Sequence, residues 1–180
     1  MYEHILLPVD LGNDSSWAKA LPTAIEYCNA FGSTMHVMTV VPDFGSAMVS
    51  QFFPRDHEEK MMERADEVLH KFVVDRVPGS ISVQHIVADG TIYKTIIETA
   101  EVIGADLIIM GSHRPELEDY LLGPNAARVV RHSTKSVLVV RCMPTQVLQS
   151  GPYTGYLSRR HGSAASDGHV TFNILSDAAS

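Results

Sequence analysis

Apolar runs rich in β-branched residues alternate along this chain with longer segments whose hydrophobic positions recur at helical spacing. His4 to Val9, Thr34 to Val41, Ile81 to Val87, Leu107 to Met110 and Ser136 to Arg141 read as five strands. Between them, Arg55 to Val74 sets Met61, Met62, Ala65, Val68, Leu69 and Phe72 on a helical stripe, and the Met pair reads as core. Thr91 to Ile103 aligns Ile92, Ile96, Ile97 and Ala100 on one stripe, and Ala126 to His132 forms a last short helix. Asp14 to Phe31 also reads as helical, with Asp14, Ser15 and Ser16 as candidate N-caps. Pro22 lacks an N–H and clashes with the preceding turn, so the pattern predicts either a kink or a helix proper that starts near Leu21. The alternation of strand and helix predicts an α/β fold, a five-stranded parallel sheet with helices on both faces.

The segment Pro42 to Pro54 is long and apolar, holding Phe44, Gly45, Met48, Phe52 and Phe53. Loops of this kind serve as lids or partner contacts, and the alternative is a loop folded onto its own domain. After Cys142 no period is sustained, and Gly, Ser, Ala and Thr dominate, as in QSGPYTGYLSRRHGSAASDG. Such a stretch buries too little apolar surface to offset its ordering entropy. The expected organisation is one domain over residues 1–142 and a flexible tail over 143–180. Within the tail, His169 to Leu175 alternates enough to add a strand or dock on a partner.

The length of 180 residues suits a single domain with a real core, and 45% hydrophobic with 19% charged residues is the balance of a soluble globular protein. No apolar window is long enough to span a bilayer, and the start MYEHILLPVD lacks the basic region of a signal peptide, so the expected address is cytoplasmic with no membrane partner. A formal net charge of −7 argues against nucleic acid as a partner, since such binders neutralise phosphates with Lys and Arg. A local basic patch at Arg128, Arg131 and His132 reads as a solvated helix face. Cys28 and Cys142 have neither metal-ligand spacing nor disulfide density and read as small hydrophobes or surface thiols.

In an open parallel sheet, ligands bind outside the carboxyl ends of the strands, where strand order reverses. Pro8-Val9-Asp10, Val40-Val41-Pro42 and the loop opening at Gly111 all come to that edge. The third is unusual: GSHRPELEDYLLGPNA, residues 111–126. Gly111 permits close backbone approach and either sign of φ. His113 and Arg114 bring donors, and the planar guanidinium suits phosphate oxygens. Gly123-Pro124-Asn125-Ala126 fits an N-cap glycine with proline at the first helical position. The first turn of a helix leaves N–H groups unpaired at the positive end of its dipole, where anions bind. Pro124 has no N–H, so the donors are those of Asn125, Ala126 and the Asn125 amide. The competing reading is a surface excursion in which Arg114 pairs with Glu116 or Glu118.

Neither GxxxxGK nor GxGxxG occurs, no Ser-His-Asp or Cys-His signature is present, and the nine histidines do not fall at metal-cluster spacing. Asp10 has three readings: an acceptor for a ribose hydroxyl, a holder of a metal ion through water, or an N-cap.

Together, HILLPVD, GSHRPELEDYLLGPNAARVVRHS and the closing strand SVLVVR resemble the universal stress protein family, and the Ser-His-Arg-Pro and Tyr-Leu-Leu-Gly pieces are similar to its small single-domain bacterial members. The similarity runs from about Met1 to Cys142. It implies a five-stranded parallel α/β fold, Rossmann-like and of the adenine nucleotide alpha-hydrolase type. It also implies a homodimer formed through the last strand, here Val137 to Val140, and in many members ATP binding. By position, the resemblance sets Pro8, Val9 and Asp10 beside the adenosine and the Val41 backbone at the adenine edge. It puts Met110 and Gly111 near the ribose, and Ser112, His113, Arg114, Gly123, Pro124, Asn125 and Ala126 around the phosphates. The implied cofactor is ATP, or ADP or AMP, with Mg²⁺ as a candidate companion.

The chain departs from the family's loop pattern GxxGx9G(S/T) at three points. Arg114 stands where a second glycine is usual, the interval to Gly123 is one residue shorter, and Pro124 replaces a Ser or Thr. The first two match the Ser-His-Arg-Pro branch; the third removes a donor, which costs about 1 to 3 kcal/mol where a partner oxygen is left unpaired. The expected function is a cytoplasmic adenine-nucleotide-binding regulatory protein of the stress response that signals to protein partners, with at most slow ATP hydrolysis or self-modification. The alternative is a nucleotide-free dimeric interaction module. A phosphate- or adenylate-transferring enzyme would have Asp10 as its one candidate acid.

Overall fold

The computed structural model describes residues 1–42, 56–112 and 122–141, with the backbone alone over 56–59. All of these lie in the unit Met1–Pro144; the unit Thr145–Ser180 and the apolar loop 43–55 fall outside the described residues. The strands are β1 (His4–Pro8), β2 (Thr34–Pro42), β3 (Val83–Gly90), β4 (Leu107–Gly111) and β5 (Ser136–Val140), and the helices are α1 (Ala20–Phe31), α2 (Asp56–Arg76), α3 (Ile92–Val102) and α4 (Pro124–His132). They form one parallel sheet in the order β3-β2-β1-β4-β5. The chain steps outward from β1 to β2 and β3, then returns past β1 to build β4 and β5, so the reversal lies between β1 and β4.

Two apolar layers explain why the central strands read as continuous hydrophobic runs, since each is covered on both faces. Ile5, Leu7, Met35, Val37, Leu107 and Ile109 pack with Ala24 and Cys28 of α1 and Leu69, Phe72 and Val73 of α2. The alternate residues Leu6, Met38, Ile108 and Met110 pack with Ile96 and Ala100 of α3 and Ala126 and Val129 of α4. Burial pushes the Cys28 thiol up to about 11, and it serves as a small hydrophobe. Met61 and Met62 are half-buried rather than enclosed, and Val68 on the same stripe is exposed, so the apolar face of α2 is narrower than its sequence period implies. Among the described residues no helix is long and apolar enough to cross a membrane.

Local physics sets the element ends. The segment from Asp14 divides into a 3₁₀ turn, Asp14–Ser16, and α1 from Ala20, which places Pro22 in the first helical turn, where its missing N–H has no intrahelical acceptor to lose. The cap differs from expectation. Asn13, not Asp14, Ser15 or Ser16, closes the 3₁₀ turn, its Oδ1 accepting from the Ser15 N–H at 3.1 Å and the Ser15 hydroxyl at 2.7 Å. α1 ends at Gly32, whose φ of 69° lets its N–H return to the Cys28 carbonyl at 2.8 Å. β3 begins at Val83 rather than Ile81, because Ile81 is buried within a turn and donates to the Pro78 carbonyl.

Candidate functional site

Beyond Pro8 the chain is pinned on both sides of Val9. The Val9 N–H donates to the Met38 carbonyl at 2.8 Å, and the Thr39 hydroxyl donates to the Val9 carbonyl at 3.1 Å. Asp10 then emerges exposed, and a compact ring of hydrogen bonds holds its backbone. Its N–H donates to the Ser16 hydroxyl at 2.9 Å, while that hydroxyl and the Asn13 N–H both donate to its carbonyl at 3.1 Å. The Gly12 N–H donates to Asp10 Oδ1 at 2.9 Å, so the carboxylate orients its own loop rather than capping a helix. Its remaining lone pairs are available to other donors.

Gly111 closes β4 opposite Val140, and the Ser112 N–H donates to the Val140 carbonyl at 2.9 Å. A Cβ on Gly111 would stand 2.5 Å from the Ser16 carbonyl oxygen and 3.1 Å from that of Ser15. The close approach expected at this glycine is therefore made by the protein's own 3₁₀ turn, and Gly111 is not among the glycines of positive φ. The turn that carries Asp10 and the end of β4 thus form one backbone-packed unit.

A helix joining parallel strands runs back against them, so α4 begins at the carboxyl edge of the sheet. Gly123 is its N-cap, with φ −54° and ψ 153°, and Pro124 is its first residue. The cap has no side-chain hydrogen bond. The first intrahelical bond runs from the Ala127 N–H to the Gly123 carbonyl at 3.0 Å. The N–H groups of Asn125 and Ala126 precede it and have no acceptor within the helix. Arg131 and His132 lie in the last turn, where they complement the other end of the dipole.

The described sequence-predicted residues thus fall into three groups. Asp10, Ser112, Pro124 and Asn125 keep side chains at least partly accessible, and Val41, half-buried, sits on β2 opposite Asp89. Val9, Met110 and Ala126 bury their side chains in the core layers and have only backbone to offer; Pro8, Gly111 and Gly123 shape the chain at the same edge. His113 and Arg114 lie outside the described residues. Sequence reasoning missed Gly12 and Asn13 as holders of Asp10, and it took Ser16 for a helix cap; the spacing Asp10, Asn13, Ser16 was the available signal. An exposed carboxylate beyond β1 and helix-start donors after β4 are the kinds of group that take a ligand's hydroxyl and anionic ends. Among the described residues no three His, Cys, Asp or Glu side chains gather as a metal site.

Residues 1–141 match the model of the universal stress protein family. Universal stress protein G of Shigella flexneri is 32% identical over 143 residues, covering 78% of this chain and 100% of that protein, and its counterpart in Salmonella typhimurium matches to the same extent. Among solved structures, that of hypothetical protein MJ0577 is 27% identical with a TM-score of 0.62, covering 81% of this chain and 99% of that one. A universal stress protein in complex with cAMP is 22% identical with a TM-score of 0.56 over 78% of this chain and 97% of its own, a likeness of fold. The five parallel strands, the reversal between β1 and β4 and these matches make this chain a member of the universal stress protein family.

Proposed function

We propose that the chain is a cytoplasmic regulatory protein of the stress response that binds an adenine nucleotide, ATP or its ADP and AMP forms, across the carboxyl ends of β1 and β4. One observation carries this reading: the reversal of strand order has the exposed Asp10 just beyond one strand and, following the other, the first turn of α4, whose N–H groups have no acceptor within the helix. In this reading the adenosine lies toward Asp10 and the Val41 backbone, and the phosphates lie toward Ser112, Asn125 and Ala126, with His113 and Arg114 supplying charge. Mg²⁺ would accompany the phosphates. A relative of like fold in complex with cAMP supports the same ligand class. Pro124 removes one donor from the cradle and favours shorter phosphate chains. Isothermal titration with ATP, ADP, AMP and cAMP tests the proposal; binding of at least one is expected, and no heat with any of them removes it.

The sheet edge favours a homodimer as part of the same reading. Among the described residues β5 is an edge strand, on which Val137, Leu138, Val139 and Val140 are only half-buried, an apolar row with no strand paired on its outer side. The row also supports a second reading, a dimeric interaction module that needs no nucleotide. Sedimentation equilibrium of wild type and Leu138→Glu, run beside the titrations, separates the two: dimerisation without nucleotide binding favours the module. Residues 143–180 then act as a tail outside the nucleotide domain.

A further inference from the structure

At the edge of the sheet opposite the proposed nucleotide site, β1 and β2 each bring a histidine to one spot. The strands pair His4 with Thr34 and Leu6 with His36, so the two imidazoles are diagonal neighbours on the face covered by α3 and α4. His4 Nδ1 lies 3.1 Å from His36 Nε2, with ring centroids 5.3 Å apart and planes tilted by 51°. His36 is 4% exposed, and its other nitrogen, Nδ1, is buried with no hydrogen-bond partner among the described residues.

The surroundings offer His36 little to compensate a charge. Its register partner on β3 is the uncharged Gln84. α3 turns Ile96 and Ala100 to this layer, while its Glu101 is held by Lys135 and the Thr134 hydroxyl. Before β4, the Asp106 carboxylate accepts the N–H groups of Glu3 and His4 at 2.8 and 3.0 Å, within electrostatic reach of Lys135 and the His4 ring. The titratable group that acts on His36 is His4 itself.

A nitrogen–nitrogen contact of this length has room for one hydrogen: one ring donates and the other accepts. Two imidazolium rings would instead present an N–H each, turning a hydrogen bond into two opposed donors and two like charges where water has little access. We propose that His4 and His36 form an acid-responsive latch between the starts of β1 and β2, closed while the rings share a single hydrogen and opened when both are protonated. Desolvation first, and the His4 charge second, hold His36 below the ordinary histidine value of 6.5. The folded chain therefore refuses a proton that the unfolded chain accepts. Its stability is full above the unfolded histidine value and falls as pH drops below it. The latch stands whether or not the opposite edge binds nucleotide.

Urea unfolding of the full chain, followed by circular dichroism from about pH 7.5 to about pH 5.5, tests the latch. The wild-type folding constant is expected to fall with a component approaching tenfold per pH unit, the slope of one proton. His36→Leu should lose that component, and the exposed His132→Gln should keep it. A His36→Leu slope parallel to wild type overturns the latch. Should that variant fail to fold, the wild-type His36 ring resonance decides. It should stay neutral through the ordinary histidine range until unfolding begins, and full titration within the intact fold would overturn the latch equally.

Discussion

The Ser16 carbonyl oxygen lies 2.5 Å from where a Cβ on Gly111 would stand, so the turn after β1 and the end of β4 meet backbone to backbone with no room for a side chain. Gly111→Ala must push one of them away. Overpacking of this kind costs about 1 to 3 kcal/mol. The urea midpoint should fall accordingly, and nucleotide affinity with it, because the displaced turn carries Asp10. A wild-type midpoint would show that the contact yields freely.

Ser16→Ala removes a buried hydroxyl that serves the Asp10 backbone as acceptor and donor at once, at 2.9 and 3.1 Å. The expected loss is about 1 to 3 kcal/mol, since the Asp10 N–H keeps no partner in the turn. Hydrogen exchange at Asp10 should accelerate in the variant. Unchanged protection there would contradict the role given to Ser16.

The strands and helices were legible because each carries its own hydrophobic period; the period alone started α4 at Ala126, two residues late, while the local Gly123-Pro124 signal marked its cap and first residue. What sequence missed depends on register or through-space approach. Ile81 is as apolar as any strand residue yet sits in a turn, since only pairing with β2 decides where β3 begins. Gly111 announced a close approach, but its partner, the carbonyl of Ser16, is distant in sequence. His4 and His36 meet only because β1 and β2 pair in one particular register. His113 and Arg114, central to the sequence argument, lie outside the described residues, so the site rests on Asp10 and the start of α4.

Asp106 should contribute to the acid limb of stability. Backbone N–H groups of Glu3, then of His4, hold its carboxyl below the ordinary carboxylate value of 3.8. A depressed folded value gives stability that is present above the unfolded value and is lost as pH falls through the folded one. Asp106→Asn should therefore be less stable than wild type at neutral pH, with the two converging below about pH 4 in urea titrations. A constant difference across that range would show that the N–H contacts do not favour the charged form.

Arg76 lies over two rings at once, its guanidinium carbon 4.7 Å from the Trp17 centroid and 4.8 Å from that of Phe72. Arg76→Ala should cost about 0.5 to 1 kcal/mol and Arg76→Lys less, because an ammonium keeps the charge but not the planar stack. Trp17 is the sole tryptophan, so its emission reports this contact directly and should shift in Arg76→Ala. An unmoved spectrum with an unmoved midpoint would remove the interaction.

The central claim is an adenine nucleotide seated between Asp10 and the start of α4, and backbone amide NMR during an ATP titration tests it most directly. The account predicts saturable shifts at Asp10, Gly12, Ser112, Asn125 and Ala126 while His4 and Thr34 at the opposite edge stay still. Shifts confined to β5, or none at saturating ATP, would contradict it.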